Sequence, residues 1–270
     1  MNERIGYQRS TGNTAQILKN WALIFIAAGI VGRSIIENRV IHVMDLTPDE
    51  QIAFMNSSSS NFALVTSSII LKVLSYCAVP LFLFLLVEGV NHTSSYRNYF
   101  LRVTALAVIS EIPYDLAMYN RVFYWKEQNP VFGLVLGLII VFFFKSYGNK
   151  GELKSVLLYL FVLFVAIMWI DMLRISDGLY MLILLTVLWL TRKNRRTQLY
   201  VSALVACFCV VLPASDTSNS IGSLVYLASP LAFLLVFRYN EEPGEGNRWI
   251  NYAAYPVLLL SGWIVGRVVF

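Results

Sequence analysis

Charge, and the residues that usually bind metals, are scarce in this sequence. Only 14% of its 270 residues are charged and only two are histidines, whereas a soluble domain carries about 25% charged residues. The cysteines Cys77, Cys207 and Cys209 lie in apolar runs without metal-ligand spacing, so we expect packing thiols rather than disulfides. No zinc motif, nucleotide-binding loop, serine nucleophile elbow or basic patch with interleaved aromatics is present. The sequence therefore predicts no metal site and no nucleic-acid partner.

Apolar residues dominate what remains. They make up 57% of the chain, and its mean hydropathy is +0.63. A spanning helix needs about 20 mostly apolar residues, so we predict an all-α polytopic transmembrane helix bundle of about nine spans. It would form a single transmembrane domain over 1–270, in which 1–19 is a polar cytoplasmic segment. The second apolar run is long enough for a span preceded by an amphipathic stretch, or for one helix kinked at Pro80. The predicted spans are 20–38, 63–91, 99–117, 130–145, 154–171, 178–191, 199–214, 221–238 and 249–269.

The distribution of Lys and Arg predicts the orientation in the membrane. Positive residues concentrate in the cytoplasmic loops of membrane proteins. Most of them here fall in alternate loops on the side of the N-terminus, including RKNRR at 192–196. No small-residue cleavage site follows the first apolar run, so we expect a retained span rather than a signal peptide. The sequence predicts a cytoplasmic N-terminus, membrane lipids around the bundle and, with nine spans, an outer C-terminus.

The stretch ISEIPYDLA places two carboxylates inside a predicted span. Glu111 and Asp115 are four positions apart and share a helix face, while Pro113 lacks a backbone N–H and would open the helix locally. Ionisable groups at depth cost about 2.5–3.5 kcal/mol each on insertion scales and usually face a bundle interior or a pathway. We expect one of the pair to hold a proton and serve as a general base or acid. The alternative is a structural role, with the pair bound to Arg33 or Lys72, or with Asp115 solvated at the interface.

Residues 78–117, AVPLFLFLLVEGVNHTSSYRNYFLRVTALAVISEIPYDLA, resemble the TraX family, which is named for the enzyme that N-acetylates the amino terminus of conjugative pilin. The similarity continues in QNPVFGLVLGL at 128–138 and FRYNEEPGEGNRWINYAAYP at 237–256. The resemblance implies a multi-pass acyltransferase of the bacterial inner membrane, with acetyl-coenzyme A as the donor. It also implies an amine or hydroxyl acceptor, carried by an exported, pilin-like peptide.

The sequence differs from the family's pattern at three places. Family members typically carry an Asp-His pair in the first span, where ALIFIAAGIVGR offers Gly29 and Ile30. Their last span typically reads YPxHL, whereas Leu258 takes the place of the histidine here. Tyr76 or a neighbour replaces the arginine that usually precedes the proline-containing motif. Arg33, one helical turn beyond the missing pair, is our candidate for a substitute charge.

Acyl transfer from a thioester needs a base, donors to the tetrahedral oxyanion and a site for the coenzyme A phosphates. His92 lies at the inner end of the second predicted span, beside Thr93 and near Arg97 and Arg102. We interpret these residues as a cytoplasmic donor site in which His92 is catalytic and the arginines bind phosphate. The alternative is that His92 caps a loop and that the arginines are ordinary positive-inside residues.

Two further polar residues fall near the predicted outer side. Asp177 in RISDGLY lies where an exported acceptor would arrive, and Asn129 precedes Pro130 at a helix start. Both are candidates for substrate binding, but each also fits a helix cap.

Three functions remain open from the sequence. The first is acyl transfer, for which a cavity joining His92 to Glu111 would be evidence. The second is a catalytically inactive family member that binds a partner, and a core filled with side chains would favour it. The third is a proton-coupled transporter built on the buried charges, against which the lack of an evident inverted repeat counts.

Overall fold

The computed structural model describes residues 12–147, 153–209 and 222–269, and all regular structure in these ranges is helical. Two isolated β-bridges, Asn13 to Tyr239 and Gln128 to Ile175, join loops rather than build a sheet. The prediction of an all-α protein is confirmed. Most of the predicted segment 1–19 and parts of the predicted spans 199–214 and 221–238 lie outside the described residues. The helices α1 to α11 are, in chain order, Ala15–Ile30, Pro48–Ser57, Ser59–Ser75, Ala78–His92, Tyr96–Tyr119, Val131–Tyr147, Leu153–Leu173, Gly178–Leu190, Arg195–Cys209, Ala232–Phe237 and Arg248–Val269.

Four helical segments in the described part of the chain are long and apolar enough to cross a membrane. Shorter apolar helices accompany them, and α5 has the length of a span but carries four charged side chains, those of Arg97, Arg102, Glu111 and Asp115. The chain is therefore a membrane protein by composition and helix length, while the number of nine spans and the side of the N-terminus stay predictions. The four segments are Ala15–Ile41, Ser59–His92, Leu153–Leu173 and Trp249–Val269, and the shorter helices are Val131–Tyr147, Gly178–Leu190 and Tyr226–Phe237.

The first span changes its helical type halfway. It is α-helical to Ile30 and then continues as a π-helix over Val31–Ile41. A π-helix bonds each residue to the fifth one along the chain and has a longer turn than an α-helix. Residues four to five positions apart in this segment therefore lie on the same side of the helix. Arg33, the neighbours Glu37 and Asn38, and Ile41 share a side in this way.

Glycines let two neighbouring helices approach this span closely. A Cβ atom at Gly29 would lie 2.5 Å from Cβ of Ser75 on α3. On the other side, a Cβ atom at Gly262 of α11 would lie 2.1 Å from Cγ2 of Ile30. Close approach through small residues is the usual way in which helices associate in a membrane. The first span is thus held between α3 and α11.

The second predicted span is two helices, and the break differs from the predicted kink. Helix α3 ends at Ser75 and α4 begins at Ala78, so the interruption lies at Tyr76 and Cys77 rather than at Pro80. Pro80 falls in the first turn of α4, where its missing N–H would have had no partner within the helix. Cys77 donates from Sγ to the carbonyl of Ala228 at 3.1 Å, which supports its prediction as a packing thiol.

Loop contacts define two ends of the bundle. At the first, the α4–α5 end, Lys145 Nζ at the end of α6 donates to the carbonyl of Val90 at 2.9 Å. At the second, the α5–α6 end, Arg39 Nη2 donates to Oδ1 of Asn120 at 2.6 Å. The main core of buried apolar side chains lies around α4, α6 and α8, which contact one another directly.

Candidate functional site

One large cavity lies beside the first span. Its volume is about 1490 Å³, and α1, the π-helix, α3, α4, α5 and α11 all contribute to its walls. It reaches the exposed side chain of His92 at the α4–α5 end and Pro48 of α2 at the α5–α6 end. Ordinary small-molecule pockets measure about 300–1,000 Å³, so this cavity has room for an extended ligand.

The mouth of the cavity at the α4–α5 end is polar. His92, Thr93 and Arg102 all line it. Arg102 is half-buried, and its Nε donates to the hydroxyl of Tyr252 at 3.4 Å. Arg97 is exposed and does not line the cavity. The structure thus brings together three of the four residues predicted for the donor site.

Glu88 belongs to the same mouth and was not among the predicted site residues. His92 Nδ1 lies 2.9 Å from the carbonyl oxygen of Glu88 and 3.8 Å from its Oε2, and Arg195 Nη1 lies 3.8 Å from its Oε1. The guanidinium carbon of Arg195 also lies 4.2 Å from the ring centroid of Phe84. The spacing of four residues between Glu88 and His92 on one helix was the signal available in the sequence.

Deeper in the cavity, a carboxylate accepts two tyrosine hydroxyls. Asp177 lies in the turn before α8, lines the cavity, and accepts on Oδ1 from Tyr226 at 2.6 Å and from Tyr76 at 3.3 Å. Its side chain makes no hydrogen bond to the start of α8, so the predicted N-cap role is wrong for the side chain. The backbone of Asp177 is left-handed, with φ of 54°, and the carboxylate turns instead to the break between α3 and α4.

The surroundings of Asp177 alter its acidity. Burial raises the pKa of the Asp177 carboxyl to about 6, although the hydrogen bonds from Tyr226 and Tyr76 act in the opposite direction. A group with a pKa in this range exchanges protons near neutral pH and is suited to general base catalysis.

Arg33 brings a positive charge to the same region. It is half-buried, lines the cavity, and its guanidinium carbon lies 5.4 Å from the ring centroid of Tyr119. The hydroxyl of Tyr119 donates to Oε2 of Glu127, which interacts electrostatically with Arg33. The predicted substitute charge therefore lies in the cavity together with Asp177.

A second polar group crosses the cavity wall between the π-helix and α3. Lys72 Nζ lies 2.5 Å from Oε1 of Glu37, and the Ser68 hydroxyl donates to the same oxygen at 2.6 Å. Lys72 is thus paired with Glu37, and not with Glu111 or Asp115.

Glu111 and Asp115 lie outside the cavity lining. Glu111 is half-buried, and its Oε2 accepts from the backbone N–H of Asn129 at 3.2 Å. Asp115 is 2% exposed, and its Oδ2 accepts from the backbone N–H of Tyr124 at 2.8 Å. Both carboxylates therefore bind the loop after α5, and the helix stays continuous through Pro113.

Asn129 is a structural junction. It is fully buried, and its Nδ2 donates to the Ser110 hydroxyl at 2.6 Å. Its Oδ1 accepts from the backbone N–H of Val131 at 3.0 Å and from the hydroxyl of Tyr255 at 3.1 Å. The predicted cap at the start of α6 is present, and the same side chain also joins α5 to α11.

Gly29 and Ile30, which we predict to take the place of an Asp-His pair, lie at close contacts between helices. Gly29 and Ile30 line the cavity, and a Cβ atom at Gly29 would lie 2.5 Å from Cβ of Ser75, so a larger side chain at Gly29 needs a shift. Leu258 does not line the cavity. Within the described ranges, no group of three or more His, Cys, Asp or Glu residues could hold a metal ion.

Comparison with known proteins gives one match. A family model described as TraX protein matches residues 15–266, which is nearly the whole chain. No curated protein and no solved structure matches.

Proposed function

The chain belongs to the TraX family, and from this membership and the cavity we propose that it is a membrane-embedded acyltransferase. Its substrates would be a coenzyme A thioester and an acceptor that carries an amine or hydroxyl group, such as an exported peptide. The observation that supports this best is one cavity that connects the mouth around Arg102 to the half-buried Asp177. The proposed location is the bacterial inner membrane, with the mouth facing the cytoplasm.

The donor would enter at the α4–α5 end. Arg102 and His92 are the groups proposed to bind its phosphates, because guanidinium groups form strong charge-assisted hydrogen bonds with phosphate oxygens. Apolar side chains such as Phe82, Leu85 and Leu106 line the cavity too. The uncharged thioester arm of coenzyme A would lie against these apolar walls, whereas its charged phosphates would bind at the polar mouth.

Asp177 is the proposed general base. It accepts a proton from the acceptor's neutral amine or hydroxyl as the nucleophile forms a bond to the thioester carbon. Arg33 would stabilise the oxyanion of the tetrahedral intermediate, because a fixed positive charge is most effective where water is excluded. The C–S bond then breaks, and Asp177 returns the proton to the thiolate, which leaves free coenzyme A and the acylated acceptor.

Two carboxylate variants test this assignment. Purified protein in lipid nanodiscs is given acetyl-coenzyme A and a short peptide with a free amino terminus, and the release of free thiol is measured. We expect Asp177→Asn to lower turnover by about 10²- to 10⁴-fold, the usual contribution of a general base, with donor binding retained. We expect Glu111→Gln, whose carboxylate lies off the cavity, to stay within a few-fold of the unmodified protein. Asp171→Asn, an exposed carboxylate on α7, is the matched control.

The opposite ranking would contradict the cavity assignment. If Glu111→Gln abolishes turnover while Asp177→Asn remains active, the base is Glu111, as the sequence alone predicts. If all three variants and the unmodified protein neither bind nor cleave the thioester, the acyltransferase proposal itself fails.

A second candidate is a catalytically inactive member that binds a partner. The close contact between Gly29 and Ser75 favours it, since it lies where we predict that other family members carry a titratable residue. This candidate predicts that thioesters do not bind, whereas the acyltransferase predicts saturable binding at the mouth.

A further inference from the structure

The cavity does not end at Asp177 but continues toward the α5–α6 end. One face of α3 follows it, with Lys72, Ile69 and Val65 in the lining at helical spacing, and Tyr76 just after α3 lines the cavity too. From Lys72 to Val65 the helix advances about 10 Å, at about 1.5 Å per residue. We call this continuation the outer lobe. It is lined by Ile41, Met44, Phe54, Met55, Val65 and Ile69.

The walls of the outer lobe form an apolar surface for any ligand that binds there. These walls are aliphatic, aromatic and thioether side chains from the π-helix, the loop after it, α2 and α3. Gln51 of α2 also lies there, but its Nε2 donates to the carbonyls of Val43 at 3.3 Å and Leu46 at 3.2 Å. At the border with the Asp177 region, Glu37 is bound by Lys72 and Ser68. The polar groups in and beside the lobe are therefore already occupied by protein partners.

The order of these regions along the cavity restricts the donor. A thioester whose phosphates lie at Arg102 and whose reacting carbon lies at Asp177 must direct its acyl group away from the mouth. The space on that side is the outer lobe, which is far larger than an acetyl group requires. Resting on the proposed function, we infer that the donor carries a fatty acyl chain and that the outer lobe holds its hydrocarbon tail.

This assignment has a quantitative consequence for affinity. Burying one methylene group raises the association constant about fourfold, which corresponds to ~0.8 kcal/mol. Donor affinity should therefore rise steeply from acetyl- to octanoyl-coenzyme A, and level off once the lobe is full.

The test measures binding of acetyl-, butyryl-, octanoyl- and palmitoyl-coenzyme A to the full chain in lipid nanodiscs. Ile69→Trp fills the lobe, and Val65→Trp is a second variant in case the first does not fold. The matched control is Ile70→Trp, since Ile70 is the next residue along α3, is 53% exposed and does not line the cavity. We expect Ile69→Trp to lower octanoyl-coenzyme A affinity at least tenfold while acetyl-coenzyme A affinity stays within about twofold, and Ile70→Trp to change neither.

Three outcomes would overturn the inference. If acetyl-coenzyme A binds as tightly as the longer donors, the lobe does not take part in donor recognition. The proposed acyl transfer would still stand. Donor affinity that rises with acyl chain length equally in Ile69→Trp, in Ile70→Trp and in the unmodified protein would also overturn the inference. The rise would then come from contact with the lipid and not from the lobe. Failure of every thioester to bind, in a folded protein, would overturn the acyltransferase proposal together with this inference.

Discussion

The contact between Gly262 and Ile30 allows a sharp test of how the first span is held. A Cβ atom at Gly262 would lie 2.1 Å from Ile30 Cγ2, far inside van der Waals contact, but 3.6 Å from Ile30 Cβ. Ile30 is 4% exposed, and its Cγ2 branch is fixed to Cβ, so it can leave the contact only if the side chain rotates or the helices shift. Gly262→Ala should therefore strain the interface, and Ile30→Ala should remove the strain because it deletes Cγ2.

The expected magnitudes follow from the type of change. Overpacking costs about 1–3 kcal/mol, while replacing Gly by Ala inside a helix gains about 1 kcal/mol. Gly262→Ala alone should thus destabilise by ~0–2 kcal/mol. Ile30→Ala should cost about 2–5 kcal/mol, since it leaves a cavity. In the double variant the helix gain remains and the strain is gone, so it should be no less stable than Ile30→Ala.

A double-mutant cycle isolates the strain. The helix-propensity gain from Gly262→Ala is the same with and without Ile30→Ala, so it cancels when the two effects of Gly262→Ala are subtracted. The free energy of unfolding is measured by SDS titration of the helical circular dichroism signal, in one detergent for all four proteins. We expect a coupling energy of about 1–3 kcal/mol, within the range seen for residues in contact. Additive effects, with coupling below about 0.5 kcal/mol, would show that the two helices do not meet as described.

Three further predictions concern the site and the topology. Acyl transfer should fall as the pH drops through about 6, because Asp177 must be ionised to accept a proton; a pH–rate profile that stays flat from pH 5 to 8 would contradict this. Asn129→Ala should lower the free energy of unfolding by about 1–3 kcal/mol, since it leaves buried groups of α5, α6 and α11 without partners, and a thermal melt in detergent measures it. In a Cys207→Ser background, a membrane-impermeant maleimide should label His42→Cys in intact cells but Arg196→Cys only after permeabilisation. The reverse pattern would invert the predicted orientation.

The helices were predictable because the length of a membrane-spanning helix depends on the residues of that segment alone. The predicted spans 154–171 and 249–269 correspond to Leu153–Leu173 and Arg248–Val269. Apolar runs of this length have few other stable structures in a lipid environment, since every backbone polar group must be paired within the segment. The sequence pattern is therefore enough to locate such helices.

The π-helix and the break at Tyr76 were not predictable in this way. The segment Val31–Ile41 contains no proline, and its longer turn is accompanied by close contacts with α3 and α11 that involve Gly32 and Gly266. Pro80 was the visible breaking signal, but a proline in a first turn is compatible with the helix that follows it. Both features depend on neighbours that are distant in sequence.

The same limit applies to the candidate site. Five of the residues named from type and position line the cavity, while their roles stay predictions: His92, Thr93, Arg102, Arg33 and Asp177. The emphasis on Glu111 came from its depth in a predicted span, and the sequence does not show that a backbone N–H after α5 meets its carboxylate. The half-buried Glu111 carboxylate thus has a partner within the protein and does not line the cavity.

The difference between these carboxylates bears on how this chain could lack the family's Asp-His pair and still perform acyl transfer. Gly29 and Ile30, which we predict to replace that pair, line the same cavity as Asp177 and Arg33. A base and a cation on another wall of one cavity can act on a substrate that occupies it, provided that the substrate reaches both. If Asp177 has taken over the proton transfer, restoring a histidine by Ile30→His should not raise turnover. A gain of activity in Ile30→His that survives Asp177→Asn would instead mean that the reaction still centres on the first span.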